Sequence, residues 1–232
     1  MTARGNDPLV ELLGLASVTR LGLLGLVGGH TVGAPSLAAA HRLYLVTRRL
    51  VRQQSELLEL GTNEGLEPLT LMRPFTAVLS GLEARTHEAD WWEGLLKGVV
   101  GLGLIADLSR LLATGLPCDE TAAKVIAATA YEPNDDDRVT AVVAAATSSD
   151  PVLASRLGLW GRRIVGESMA VTQRLLVDRS LLCGLARDAA VVGNDNGAEP
   201  CALVTSIDVA AWALTELTKT HGERMERMGL AA

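Results

Sequence analysis

Apolar positions along this 232-residue chain recur mostly at intervals of three and four, the period of an amphipathic helix. The clearest stretch is Asp90 to Ala113, DWWEGLLKGVVGLGLIADLSRLLA, where Trp91, Leu95, Val99, Leu102, Ala106 and Leu112 keep roughly helical spacing. Asp90 followed by Glu93 is a helix-start signature. The Asp oxygen can accept from free backbone N–H groups, and Glu93 puts negative charge in the first turn. Gly94, Gly98, Gly101 and Gly103 each cost about 1 kcal/mol against Ala inside a helix. A helix that tolerates all of them predicts a neighbouring backbone packed very close. The stretch reads as the central helix of an all-α bundle.

The other elements follow the same reasoning. Met1 to Asn6 reads as a disordered lead. Asp7-Pro8 starts helix one, with Asp as cap and Pro at the first helical position; it should stop at Gly28-Gly29. Ser36 caps helix two, Leu37 to about Leu60, with Leu43, Val46, Leu50 and Leu57 inward and Arg42, Arg48, Arg49 and Arg52 outward. A loop from Thr62 to Thr70 and a short helix from Pro74 to about Arg85 precede the central helix. Asp119 caps Glu120 to about Tyr131. Pro133 and the run Asn134 to Asp137 should interrupt the pattern, which resumes over Val139 to Ala146. Ser148 to Pro151 starts one helix from Val152 to about Leu185. A polar loop, Gly193 to Pro200, leads to a last helix from Cys201 to about Met228. With no strand pattern and no linker, one antiparallel helical domain over residues 1–232 is expected.

Composition narrows this further. Hydrophobic residues make up 48% and aromatics 3%, so the core is Leu, Val and Ala packing. The net charge of −6 argues against a broad nucleic-acid surface. Cys118, Cys183 and Cys201 are far apart and form no C-x-x-C, so they read as free thiols. Leu9 to Val27 approaches the length of a membrane span, but Glu11 and Arg20 lie within it and no basic lead precedes it. A buried bundle helix in a soluble, cytoplasmic protein is the expectation, with no membrane partner.

Candidate chemistry is sparse. Gly101-x-Gly103 follows no strand and is no nucleotide fingerprint. The run Asp135 to Asp137 lacks the Gly and distal Glu of a calcium loop and reads as a solvated turn. Of the histidines, His30 and His87 fall in predicted loops, His41 lies early on helix two, and His221 reads as a surface residue of the last helix. Glu56, Asp107 and Glu167 are embedded in apolar helical segments. Buried carboxylates need partners or metal, and Arg52, Arg110, Arg162 and Arg163 stand at spacings that can pair with them. Glu56, Asp107, Glu167 and His221 are therefore the candidate catalytic residues, with no metal or cofactor ligand assigned.

The segments DWWEGLLKG, IADLSRLLA, LGLWGRRIVGESMAVTQRLLVDR and THGERMERMGLAA together resemble a bacterial family of ferritin-like-fold proteins, related in fold to the diiron tRNA hydroxylases. The resemblance implies a ferritin-like antiparallel four-helix bundle with additional helices. It also implies a diiron cofactor held by a Glu, an E-x-x-H, an acid and an acid-x-x-His from successive helices. Placed here, these fall on Thr19 or Arg20, on Val51 and Gln54, on Leu102, and near Ala128 and Tyr131. No histidine has Glu or Asp three positions before it, so no E-x-x-H or D-x-x-H occurs. The ligand pattern is lost and no cofactor is expected. Two functions follow as expectations. One is a non-catalytic, metal-free scaffold or interaction partner, a homo-oligomer or paired with an intact ferritin-like relative. The other is a tRNA-hydroxylase-like oxygenase with an unusual metal site.

Overall fold

The computed structural model describes residues 7–130, 133–193 and 205–230, and of residues 133–137 the backbone alone. The described chain is helical, with no strand among the described residues. Helix α1, Pro8–Leu23, starts where Asp7 accepts a hydrogen bond from Leu9 N at 2.9 Å. It continues as a π-helical turn over Leu24–Gly28. Helix α2, Leu37–Asn63, is capped by Ser36. Gly14 and Gly61 both lie against Leu71, whereas Gly28 lies against Thr47, so α1 and α2 run antiparallel.

Helix α3 (Pro68–Met72), a 3-10 turn over Arg73–Phe75 and α4 (Thr76–Glu83) cross the end of this pair. Here the expected loop ends sooner, because Pro68 opens a helical turn. The central helix follows as α5 (Trp91–Leu96), a π-helical segment (Lys97–Leu102) and α6 (Gly103–Ala113). Asp90 caps it through Glu93 N at 3.0 Å, and the Glu93 carboxylate accepts from Ala89 N at 2.8 Å. Its glycines admit side chains where neighbouring backbone was expected: the His30 ring at Gly94, Leu26 at Gly98 and Ile164 at Gly101. Along the segment the residues are buried almost without interruption, so neighbours approach it from all sides.

Helices α7 (Glu120–Thr129) and α8 (Pro133–Thr147) together form the fourth bundle helix, broken at Ala130, which is extended. The run Asn134 to Asp137 lies within α8 and does not interrupt the helix. Proline is compatible with a first turn, so Pro133 begins the helix there. Helix α9, Pro151–Asp178, ends well before Leu185. The chain turns out at Arg179 and restarts as α10, Ser180–Gly193. The physical reason is the Arg179 side chain. From its extended backbone it reaches Glu11 at 3.2 Å and Pro74 O at 2.7 Å, and it lies 4.2 Å from the Phe75 ring centroid.

Helix α11, Ser206–Arg227, opens with a capping box between Thr205 and Asp208. It ends at Gly229, whose φ of +68° turns buried Leu230 back onto Met225. α9 and α11 pack together and cover the outer side of the central helix, while α10 lies on α1 and α6. The stretch Pro8–Gly28 is long and apolar enough to cross a membrane, and most of it is buried against the bundle. Of the sequence expectations, the lead Met1 to Asn6, Tyr131, the side chains of Asp135 to Asp137, the Asn194 to Pro200 loop and Cys201 lie outside the described residues.

Candidate functional site

The centre of the four-helix bundle is a cavity of about 60 Å³. Arg20, Leu23 and Val27 reach it from α1, and Val46, Arg49, Leu50 and Gln53 from α2. Val99 and Gly103 line it from the central helix and Val139 from α8. Arg20 is only 2% exposed. Its Nη2 donates to Thr129 O at 2.9 Å, while Arg49 Nη2 and Gln53 Nε2 each donate to Ala130 O at 2.8 Å. The reason is local. Where α7 stops, its last carbonyls lose their intrahelical donors and carry the negative end of the helix dipole. Guanidinium groups satisfy both needs through charge-assisted hydrogen bonds.

Two pairs with the i, i+3 spacing of an E-x-x-H face this cavity, Val46 with Arg49 and Leu50 with Gln53. Val51 does not: it is half exposed. Gln54 is buried, and its amide lies 3.7 Å from Met72 Sδ. Thr19 turns its hydroxyl to Leu15 O at 2.8 Å, so Arg20 is the inward residue of helix one. Leu102, placed by the resemblance at a ligand position, packs instead on α1 and α4 beside Gly22 and Leu79. Val99 and Gly103 take the inward places. Ala128 is buried.

A diiron group does not fit the described residues that line this centre. Iron needs lone-pair donors, carboxylate or imidazole, and a guanidinium offers only N–H groups and a positive charge. Among the described residues, no group of three or more His, Cys, Asp and Glu side chains could hold a metal ion.

The four sequence candidates do not converge. Glu56 is exposed and pairs with Arg52 at 3.6 Å. Glu167 sits near the surface and pairs with Arg85 at 3.3 Å, not with Arg162 or Arg163. Arg163 donates instead to Arg85 O at 3.0 Å. Both carboxylates sit on outer edges of apolar-looking helices, which corrects their reading as interior groups. Asp107 and His221 lie near enough for the Asp107 charge to act on the imidazole, with no hydrogen bond between them among the described contacts. Asp107 is 2% exposed, with Arg110 Nη1 3.2 Å from Oδ1 and Arg224 Nη2 2.8 Å from Oδ2.

His221, expected at the surface, is 5% exposed one turn before Arg224, and its Nδ1 is buried without a hydrogen bond. Burial lowers its pKa to about 4; the Arg224 charge adds to the shift and Asp107 opposes it. The pair is thus a neutral imidazole beside a carboxylate already neutralised by two guanidinium groups.

Sequence reasoning missed Arg20, Arg49, Gln53 and Arg224 as interior groups. The signal for Arg20 was present, as a lone charge inside an apolar run. It also missed Lys97, which is 1% exposed and ion-paired with Glu83 and with Glu88, the latter at 2.9 Å. Cys118 and Cys183 are free thiols, the first exposed and the second buried. A larger cavity, about 520 Å³, lies away from the bundle centre, between α4 and the α9–α10 junction around Arg179.

No curated protein matches the sequence. Residues 3–188 match a protein family described as a ferritin-like domain of actinomycetes, a span that holds the whole bundle, ends within α10 and leaves out α11. Bundle and match agree, and the chain belongs to this ferritin-like family.

Proposed function

We propose that this chain is a metal-free, non-catalytic member of the ferritin-like family, a cytoplasmic scaffold or interaction partner in which arginine does the structural work of a metal at the bundle centre. The observation that carries this reading is Arg20. Its buried guanidinium bonds the last turn of the broken fourth helix, between residues 109 positions apart. A dication beside fixed guanidinium groups would meet like-charge repulsion and, among the described lining residues, no carboxylate, imidazole or thiolate. The absence of any E-x-x-H or D-x-x-H in the full sequence supports the same reading.

The test is metal content. The chain is expressed with iron or manganese supplied in excess, purified without chelator, and analysed by mass spectrometry of the elements. Less than stoichiometric Fe, Mn and Zn is expected. Two metals per chain, retained through gel filtration, would overturn the proposal. That outcome would instead favour the second reading, an oxygenase of the tRNA-hydroxylase type with an unusual ligand set. The observation behind that reading is that Asp107 and His221 lie close enough for the carboxylate charge to act on the imidazole.

A further inference from the structure

The break between α9 and α10 borders the cavity of about 520 Å³ beside α4. That volume lies within the span of small-molecule sites, roughly 300–1,000 Å³. Its floor is apolar: Phe75 from the turn before α4, Val78 from α4 and Val171 from α9, all buried. Around the floor stand three guanidinium groups from separate places in the chain: Arg85 just past α4, Arg174 near the end of α9 and Arg179 at the break. One surface arginine reaching into water is ordinary. Three that line one apolar-floored cavity are not, because like charges repel when gathered.

What each group already holds decides what the cavity can take. Arg179 is committed: Nη1 pairs with Glu11 Oε1 at 3.2 Å and Nη2 donates to Pro74 O at 2.7 Å. Arg85 uses Nε, on Gly81 O at 3.0 Å and beside Glu167 Oε2 at 3.3 Å; its two terminal nitrogens make no hydrogen bond among the described residues. Arg174 is exposed and makes no ion pair or hydrogen bond among the described residues. Of the two carboxylates that line the cavity, Glu11 is taken up by Arg179 and its other oxygen is buried. Asp178 is the open one, and it is exposed. A cation would thus find one open carboxylate among three guanidinium groups. An anion finds the unused nitrogens of Arg85 and Arg174, whose planar forks take a carboxylate or phosphate through paired N–H donors. The floor suits the rest of such a ligand, since apolar area removed from water there is stabilising.

We propose that this cavity binds a small organic anion: a carboxylate or phosphate head held by Arg85 and Arg174, on an apolar body that lies over Phe75, Val78 and Val171. The site is separate from the bundle centre, so the proposal does not depend on the metal content of the protein.

The test is titration calorimetry of the full chain with probes that share one apolar body: octanoate, octyl phosphate, octanol and octylammonium. Acetate supplies a head without the body. Octanoate or octyl phosphate should bind at one per chain, the tighter of the two identifying the head. Octanol, octylammonium and acetate should each bind at least about tenfold more weakly. Arg174→Gln should weaken the anion by about tenfold and leave octanol unchanged, with the melting temperature preserved because Arg174 supports no contact in the fold. Asp178→Asn removes the open like charge and should tighten the anion. Ala77→Trp, at an exposed position that lines the cavity, should fill the space and abolish binding. The proposal is overturned if neither anion binds, or if octanol or octylammonium binds as well as the anions. It is also overturned if Asp178→Asn weakens the anion, or if anion binding survives Arg174→Gln and Ala77→Trp undiminished.

Discussion

Arg224 on α11 places its Nη2 2.8 Å from Oδ2 of Asp107 on the central helix, and each side chain is 1% exposed. A buried pair of this kind adds little compared with an apolar pair of equal volume, but breaking it leaves an uncompensated charge in the interior. Arg224→Met should therefore destabilise the protein by about 3–5 kcal/mol, since Asp107 would keep only the Arg110 contact at 3.2 Å. The double variant Asp107→Leu with Arg224→Met should recover most of that loss. Urea unfolding of both variants, compared at constant m, measures the difference. Equal losses would show that geometry, not charge, is what the pair supplies.

His221 makes stability depend on pH. Its folded pKa is depressed to about 4 by burial and by Arg224, against the usual value of 6.5. Between these values the unfolded chain binds more protons than the folded one, so stability falls as pH falls. The contribution is complete above about pH 6.5, shrinks through the window down to about pH 4, and is flat below it. Its full size is on the order of 3 kcal/mol. Melting curves at pH 7.5 and pH 5 should show a drop that His221→Gln largely removes. An identical drop in the variant would place the acid sensitivity elsewhere.

Arg20 can be tested apart from any metal question. Arg20→Met keeps much of the apolar stem and removes the donor to Thr129 O. The loss should be about 1.5–3 kcal/mol, the range for hydrogen bonds to charged groups. Hydrogen exchange should show it first at the end of α7, where Ala130 N bonds back to Ala127 O. Uniform loosening of all four bundle helices, with no excess at residues 125–130, would contradict a role specific to the helix break.

Gly115 follows the central helix at a point where an added Cβ would clash with the backbone carbonyl of Leu185 on α10. Backbone cannot swing aside as a side-chain tip can. Gly115→Ala should cost about 1–3 kcal/mol or more, whereas Gly184→Ala, with nothing near the new methyl, should be neutral or slightly stabilising. Thermal melts of the two alanine variants decide the point.

What could be read from the sequence was what short-range chemistry decides. Asp7, Ser36, Asp90, Asp119 and Asp150 each cap the helix that follows, because a cap needs only its own next three residues. The break at Arg179 was not legible, because its cause is Glu11 and Phe75, distant in sequence. The same holds for the site. Glu56 and Asp107 look alike in sequence, each a carboxylate among leucines, yet one is exposed and the other is enclosed by α11. His221 and Arg224 repeat the lesson from the other side, since a charged-looking helix turn became interior once it met the central helix. The π-helical segments over Leu24–Gly28 and Lys97–Leu102 have no local signature either, and they decide which residues of those helices face inward.

The arginine at the bundle centre has a consequence for how the protein behaves in a changing cell. A metal that ties helices together is a ligand, and its occupancy rises and falls with supply, dilution and competing chelators. A guanidinium is covalently part of the chain and carries its charge at every physiological pH. The tie from Arg20 to Thr129 therefore has no loading step and no apo form. On the metal-free reading proposed above, it closes when the helices meet and would stay closed under iron starvation and iron excess alike.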